Sequence, residues 1–177
     1  MELELLKTKI DDIFDEVVAL RRDIHMHPEL SGEEVRTAEL VSRWLTDLGI
    51  PHETNVGGHG VVATIGDPNA AFAVGIRADM DALPIQEKAD VPFASQNPGV
   101  MHACGHDMHT AILMGTAKIL KGMENELPGA VKLFFQPAEE KGGGARQMIE
   151  AGCMQQPPVK RVLALHVNPE MTAGQAS

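Results

Sequence analysis

Apolar residues recur every three or four positions along the start of the chain, which predicts an amphipathic helix. This stripe consists of Leu3, Leu6, Ile10, Ile13, Val17, Leu20 and Ile24. Pro28 should end the helix, because the residue before a proline avoids helical backbone angles. A second helix should start at Ser31, where Ser31 and Glu34 have the spacing of a capping box, and Gly49 should end it.

Beyond this helix the pattern changes to short runs of β-branched or small apolar residues, which are typical of buried strands. The predicted strands are Val61–Ile65, Ala71–Arg77, Val131–Phe135 and Arg161–Val167. Two further helices are predicted over Met108–Lys121 and Ala145–Ala151. The inner side of the first of these should carry Ala111, Ile112, Gly115 and Ile119. Strands alternating with helices predict an α/β fold, a three-layer sandwich with a largely parallel mixed sheet.

Composition and charge narrow the possible functions. The 177 residues carry 15 basic and 25 acidic side chains, a formal net charge of −10. A nucleic-acid or anionic membrane surface would need a basic stripe, so neither partner is expected. Two cysteines are too few for a disulfide framework. No apolar run has the length of a membrane span, and the start of the chain does not resemble a signal peptide, so we expect a cytoplasmic protein.

Side chains that commonly bind metals occur in four separate segments, each just after a predicted strand or before a predicted helix. These segments are Asp79 with Asp81, the run His102–Asp107, the pair Glu139 and Glu140, and His166. In open α/β sheets, ligands bind beyond the carboxyl ends of the strands. The four segments are therefore expected to converge on one site, although they are far apart in sequence.

Cys104 and His106 are separated only by Gly105, which should allow both side chains to turn toward one ion. Thiolate and imidazole suit divalent transition metals, but a buried free cysteine in a loop is an equally good interpretation. The adjacent carboxylates of Glu139 and Glu140 would be explained by a neighbouring cation. They could equally form a solvated acidic turn.

Three further acidic or histidine side chains have structural alternatives. His166 follows the apolar run Val162–Leu165 and could simply be a satisfied core residue. Asp79 and Asp81 flank Met80, and either one could orient a ligand histidine by accepting its second ring proton. Both could instead belong to a turn or a helix cap.

The remaining histidines and the second cysteine carry less chemical information. The histidines of the segment Arg21–Glu29 are expected to pack or to form buried hydrogen bonds. His102 and His109 flank the Cys104 motif without an assigned role. Cys153 should behave as a small hydrophobic residue.

Five ordered motifs together closely resemble the N-acyl-amino-acid amidohydrolase family. The motifs are Arg21–Glu29, Gly75–Pro84, Met101–Ala111, Phe135–Glu140 and Ala164–Val167. This family is a branch of the aminoacylase-type metallopeptidases. It includes hippurate hydrolases, N-acetyl-diaminopimelate deacetylases and plant auxin-conjugate hydrolases.

The resemblance implies a site for two divalent metal ions (Mn, Zn, Co or Ni) and no organic cofactor. Its metal ligands would be Cys104, His106, Glu140 and His166. Glu139 would be the general base that takes a proton from a metal-bridging water, and Asp79 would be a supporting acid beside the site. The implied reaction is hydrolysis of the amide bond of N-acyl amino acids such as N-acetyl or N-benzoyl derivatives.

The resemblance also implies that residues 1–177 correspond to the N-terminal part of the catalytic domain. The family has in addition a lid and dimerisation domain, and a returning segment that carries one more histidine ligand. Their absence would leave a sheet edge and an apolar face exposed. A homodimer is possible for the full-length family. Two alternatives stay open: a chain that binds metal without turnover or needs a partner chain, and a cysteine hydrolase based on Cys104.

Overall fold

The computed structural model describes residues 3–172 and 174–175, which form one five-stranded sheet with helices on both faces. The strands are β1 (His52–Glu53), β2 (Val61–Ile65), β3 (Ala73–Asp79), β4 (Ala130–Gln136) and β5 (Val159–Ala164). The α-helices are α1 (Leu3–Met26), α2 (Val35–Asp47), α3 (His106–Lys121) and α4 (Gly144–Glu150). A short 3₁₀ helix spans Glu124–Glu126.

The sheet is mixed, with the strand order β1-β2-β4-β3-β5. Strand β3 runs parallel to both β4 and β5, whereas β2 pairs antiparallel with β1 and β4. The predicted α/β class is therefore confirmed, and the parallel part of the sheet is its β4-β3-β5 half. Because these three strands are parallel, their carboxyl ends lie at the same edge of the sheet.

Alternation along the strands divides the core between the two faces of the sheet. On β2, Val61, Ala63 and Ile65 pack with α2 and α3, whereas Val62 faces the other way toward Met148 of α4. This alternation follows from the two-residue period of a strand. The three layers are thus α1, α2 and α3, then the sheet, then α4.

Helix α1 lies against α3 at a glycine. An added Cβ at Gly115 would come within 2.7 Å of Val17 Cγ2, so the close approach of the two helices requires glycine there. The prediction for the inner side of α3 is wrong for Ile112, which is 48 % exposed. Leu113 and Met114 are buried in its place, because α3 packs against α1 and the sheet together.

The predicted capping box at the start of α2 is wrong. The helix starts at Val35, and the first free N–H groups of α2, those of Arg36 and Thr37, donate to the carboxylate of Glu29 at 2.8 Å. The Glu34 carboxylate instead accepts the backbone N–H groups of Gly32 and of a distant loop residue, Ala138. A carboxylate from the preceding turn thus replaces the local cap. The end of the helix agrees with prediction, since Gly49 adopts a positive φ of 64°.

Strand β5 also differs from its prediction. It ends at Ala164, because the last residue of its ladder with β3 is Ala164, paired with Arg77. His166 therefore lies two residues beyond the strand, in an irregular segment. The strand forms one edge of the sheet, and Leu163 is 61 % exposed.

Candidate metal centre

The carboxyl ends of the parallel strands and the start of α3 meet at one place. Asp79 is the last residue of β3, and the segment after β4 carries Glu139 and Glu140. His106 is the first residue of α3, and His166 follows β5. The topology thus brings together all four segments that the sequence singled out.

Two overlapping groups of side chains form the centre. Ligand atoms of Cys104, His106 and His166 all lie within 4.8 Å of one another, and so do those of His106, Glu139 and Glu140. Cys104 Sγ is 3.4 Å from His166 Nε2, and His106 Nε2 is 3.8 Å from Glu140 Oε1. His106 belongs to both groups and therefore lies between them.

The orientation of His106 leaves one ring nitrogen available for a ligand. Its Nδ1–H donates to the backbone carbonyl of Asp81 at 2.8 Å, which fixes the ring. Its Nε2 is buried and has no hydrogen-bond partner among the residues that the structure describes. A buried nitrogen without a partner is costly, and a metal ion at Nε2 would remove that cost. The Cys104 sulfur and the His166 imidazole, which lie close to His106, suit a divalent transition metal.

Asp81 connects this histidine to the acidic segment. Its Oδ2 accepts the Ser31 hydroxyl at 2.6 Å and the Glu140 N–H at 2.9 Å. Burial opposes ionisation, but the hydrogen bonds from His106 and Ser31 outweigh it and hold the pKa of Asp81 well below its ordinary value. Asp81 is therefore an anion that fixes the backbone beside Glu140.

Asp79 forms its hydrogen bond with His109 rather than with His106. Its Oδ1 accepts Nδ1–H of His109 at 2.6 Å, and its Oδ2 is 2.7 Å from Arg77 Nη1. Its distance to His106 Nε2 is 3.6 Å, which is too long for a hydrogen bond. Burial is again outweighed, here by the hydrogen bond from His109 and the nearby cations, and the pKa of Asp79 is lowered.

The protonation of Cys104 depends on what surrounds it. Burial, together with the neighbouring Glu140 carboxylate, raises the pKa of the Cys104 thiol to about 11. A thiol is a nucleophile or a metal ligand only as the thiolate. The protein groups around Cys104 therefore disfavour its reactive form, and a bound cation would reverse this effect.

Gly105 also allows two segments of the chain to approach each other closely. It adopts a φ of +82°, and a Cβ there would lie 2.3 Å from Val167 Cγ2. The glycine thus allows the turn before α3 to approach the segment that carries His166. The histidines of the Arg21–Glu29 segment are structural, as predicted: His25 is buried between Asp107 and Glu87.

Sequence reasoning missed two contributors to this centre. The sequence alone assigns no role to His109, and it predicts Glu34 to be part of a helix cap. Both connect segments that are distant in sequence: Glu34 accepts the N–H of Ala138, and His109 accepts the N–H of Val167. No local pattern signals a hydrogen bond to backbone 58 or more residues away.

Comparison with known proteins shows the family to which the chain belongs. The model of peptidase family M20/M25/M40 matches residues 75–177, which include every residue of the two groups described above. The chain therefore belongs to this family of hydrolases.

Two curated relatives illustrate the range of the family. The IAA-amino acid hydrolase ILR1-like 4 of Arabidopsis thaliana is 47 % identical over 173 residues, 98 % of this chain and 39 % of the relative. The N-acyl-L-amino acid amidohydrolase of Geobacillus stearothermophilus is 46 % identical over 155 residues, 87 % of this chain and 42 % of the relative. The chain thus spans about two fifths of the length of the relatives it matches.

Among solved structures, a dinuclear metal-binding peptidase of the M20 family from Bacillus subtilis has the same fold. It superposes with a TM-score of 0.86 and is 42 % identical, over 93 % of this chain and 46 % of that protein.

None of the helices in the described residues has both the length and the apolar character that a membrane span needs.

Proposed function

We propose that this chain carries the metal-binding part of an amidohydrolase that cleaves N-acyl amino acids. In this proposal residues 1–177 are the N-terminal part of the catalytic domain, and the metal ligands are Cys104, His106, Glu140 and His166. Glu139 is the general base. The observation that carries the proposal is the convergence of these side chains around the unpartnered Nε2 of His106.

The donor set favours two ions rather than one. Cys104, His106 and His166 form one group, while Glu139 and Glu140 extend the site on the other side of His106. A relative in Bacillus subtilis is described as a dinuclear metal-binding peptidase, which supports the same stoichiometry. When bound, a metal pair polarises the amide carbonyl and makes water a nucleophile at neutral pH. The metal could be Mn²⁺, Zn²⁺, Co²⁺ or Ni²⁺, since this donor set accepts each of them.

The side chains of the chain itself supply proton transfer and orientation. Glu139 is exposed, so its carboxylate can reach both the attacking water and the departing amine. It takes a proton from the water and returns it to the amine as the amide bond breaks. Asp81 accepts the backbone N–H of Glu140. This hydrogen bond fixes the backbone from which the side chains of Glu139 and Glu140 extend.

A second candidate is a chain that binds metal without turnover, alone or as a subunit that needs a partner chain. The group of Cys104, His106 and His166 favours it, because three donors within 4.8 Å of one another could hold one ion by themselves. A cysteine hydrolase is disfavoured, since the pKa of Cys104 is raised and a catalytic cysteine needs a lowered one.

Metal stoichiometry tests the shared part of both candidates. The chain is reconstituted with Zn²⁺ or Mn²⁺, dialysed and subjected to elemental analysis, beside Cys104→Ser and Cys153→Ser. The wild type should retain metal, Cys104→Ser should lose it, and the buried Cys153 outside the site should be neutral on substitution. A wild-type chain that retains no metal would overturn the proposal.

Turnover then separates the two candidates. Hydrolysis of N-acetyl and N-benzoyl amino acids is measured for the metal-loaded wild type and for Glu139→Gln. Loss of a general base lowers the rate about 100-fold or more, while the metal content should stay unchanged. Metal retention with no wild-type turnover would favour the second candidate. Full activity of Glu139→Gln would exclude Glu139 as the base.

A further inference from the structure

His109 has both ring nitrogens engaged, and this decides what it can do. Nδ1–H donates to Asp79 Oδ1 at 2.6 Å, and Nε2 accepts the backbone N–H of Val167 at 3.0 Å. A ring in this arrangement has no lone pair left for a metal ion. His109 nevertheless lies within 4.8 Å of Asp79 and His106, in a group that could otherwise be taken for a metal site.

The bond to Val167 acts on the neighbouring His166. The carbonyl of Val167 accepts Nδ1–H of His166 at 2.7 Å, which leaves Nε2 of His166 facing Cys104. The His109 ring also packs edge-on against the His166 ring, with 4.6 Å between their centroids. Val167 therefore makes both contacts: its N–H is held by His109, and its carbonyl sets the tautomer and direction of His166.

The sheet does not provide this support. The ladder between β3 and β5 ends at Ala164, and His166 lies exposed beyond it. Asp79, in contrast, is buried and is held by Arg77. His109 thus joins a rigid carboxylate at the end of β3 to an exposed segment that has left the sheet.

We propose that His109 is a positioning residue that orients His166 for metal binding by holding the backbone N–H of Val167, the residue whose carbonyl accepts the His166 ring proton, and that it is not itself a ligand. This role rests on the proposed metal function of the same site. Groups that orient metal ligands typically contribute 10- to 100-fold to metal affinity.

A pair of substitutions separates the two hydrogen bonds of His109. In His109→Gln an amide oxygen stands near the position of Nε2 and can still accept the Val167 N–H. In His109→Asn the amide stands near Nδ1, so the bond to Asp79 can persist while the one to Val167 is lost. We expect zinc affinity, measured by titration calorimetry, to fall about 10- to 100-fold in His109→Asn and to be largely retained in His109→Gln.

A metal-free measurement distinguishes this inference from the proposed function. Hydrogen exchange at the Val167 amide should be faster in His109→Asn than in the wild type and in His109→Gln. His102→Gln, which alters another buried histidine of the same motif, should leave that amide unchanged. Failure of the wild type to bind zinc would count against the proposed function alone.

Three results would overturn the role of His109. The first is equal zinc affinity for the wild type and His109→Asn, and the second is equal protection of the Val167 amide in both. The third is loss of one whole ion per chain in both His109 variants, which would make His109 a ligand.

Discussion

At the residue scale, Glu34 is the clearest case of one side chain serving two backbone segments. It is fully buried, and its Oε1 accepts N–H groups from Gly32 at 2.9 Å and from Ala138 at 2.8 Å. The second bond fixes the turn directly before Glu139. Removing the carboxylate would deprive the partly buried Ala138 N–H of its partner, whereas the N–H of the exposed Gly32 can turn to water.

We therefore expect Glu34→Ala to lower the free energy of unfolding, because the Ala138 N–H loses its partner at a cost of about 1–3 kcal/mol. Glu34→Gln keeps a carbonyl oxygen that can accept both bonds and should lose less. Urea unfolding measures both, with the exposed Glu33→Ala as the control. Equal losses for Ala and Gln would show that the acceptor oxygen is not what matters.

Residue types at short spacing were the part of the site that the sequence could predict. Cys104 and His106 are close neighbours on the chain, and both of these residue types commonly bind divalent transition metals. The orientation of each ring was not predictable, because it depends on acceptors such as the Asp81 carbonyl. A hydrogen bond between residues that are far apart in sequence cannot be recognised from the local sequence pattern.

At the element scale, a buried cluster of charged side chains connects α1 to the start of α3. His25 Nδ1 is 2.7 Å from Asp107 Oδ2, and its Nε2 is 3.1 Å from Glu87 Oε1. Arg21 Nε lies 2.7 Å from the same Asp107 oxygen. The hydrogen bond with Asp107 raises the pKa of His25 above its ordinary value, although burial and Arg21 oppose this.

This direction of shift fixes the pH dependence. A raised folded-state pKa means that the stabilisation is complete below the unfolded value of about 6.5 and is lost as the pH rises through the folded value. The difference in unfolding free energy between the wild type and His25→Gln should therefore be larger at pH 5.5 than at pH 9. His59→Gln, in a groove beside α2, serves as the control. A difference independent of pH would mean that the pKa of His25 is the same in the folded and the unfolded chain.

Element types were predictable wherever the apolar period was clear, and the boundaries were less so. Strand β2 has the bounds expected, whereas α2 starts four residues late. The spacing of Ser31 and Glu34 matches a capping box, but both side chains have partners elsewhere in the fold. Tertiary hydrogen bonds thus replaced a local one, and only the folded chain reveals that competition.

At the scale of the whole molecule, one edge of the sheet combines unpaired backbone with apolar side chains. Strand β5 has a neighbour on one side only, and Leu163 and Leu165 are 61 % and 81 % exposed. Beside it lies a groove of about 350 Å³ between the strand and α3, which includes Ile112. Strand β5 is therefore an edge strand with exposed apolar side chains among the described residues.

An edge of this kind favours association, because both its hydrogen-bonding groups and its apolar surface can be satisfied by another chain. We expect the average mass in sedimentation velocity to rise with concentration and to fall toward the monomer in Leu163→Lys/Leu165→Lys. Leu3→Lys removes a comparably exposed apolar side chain, 79 % exposed, from α1 and should change the mass less. If Leu3→Lys alone abolished association, the contact surface would be α1. If the wild type stayed monomeric at every concentration, charge repulsion from the net −10 would outweigh the apolar edge.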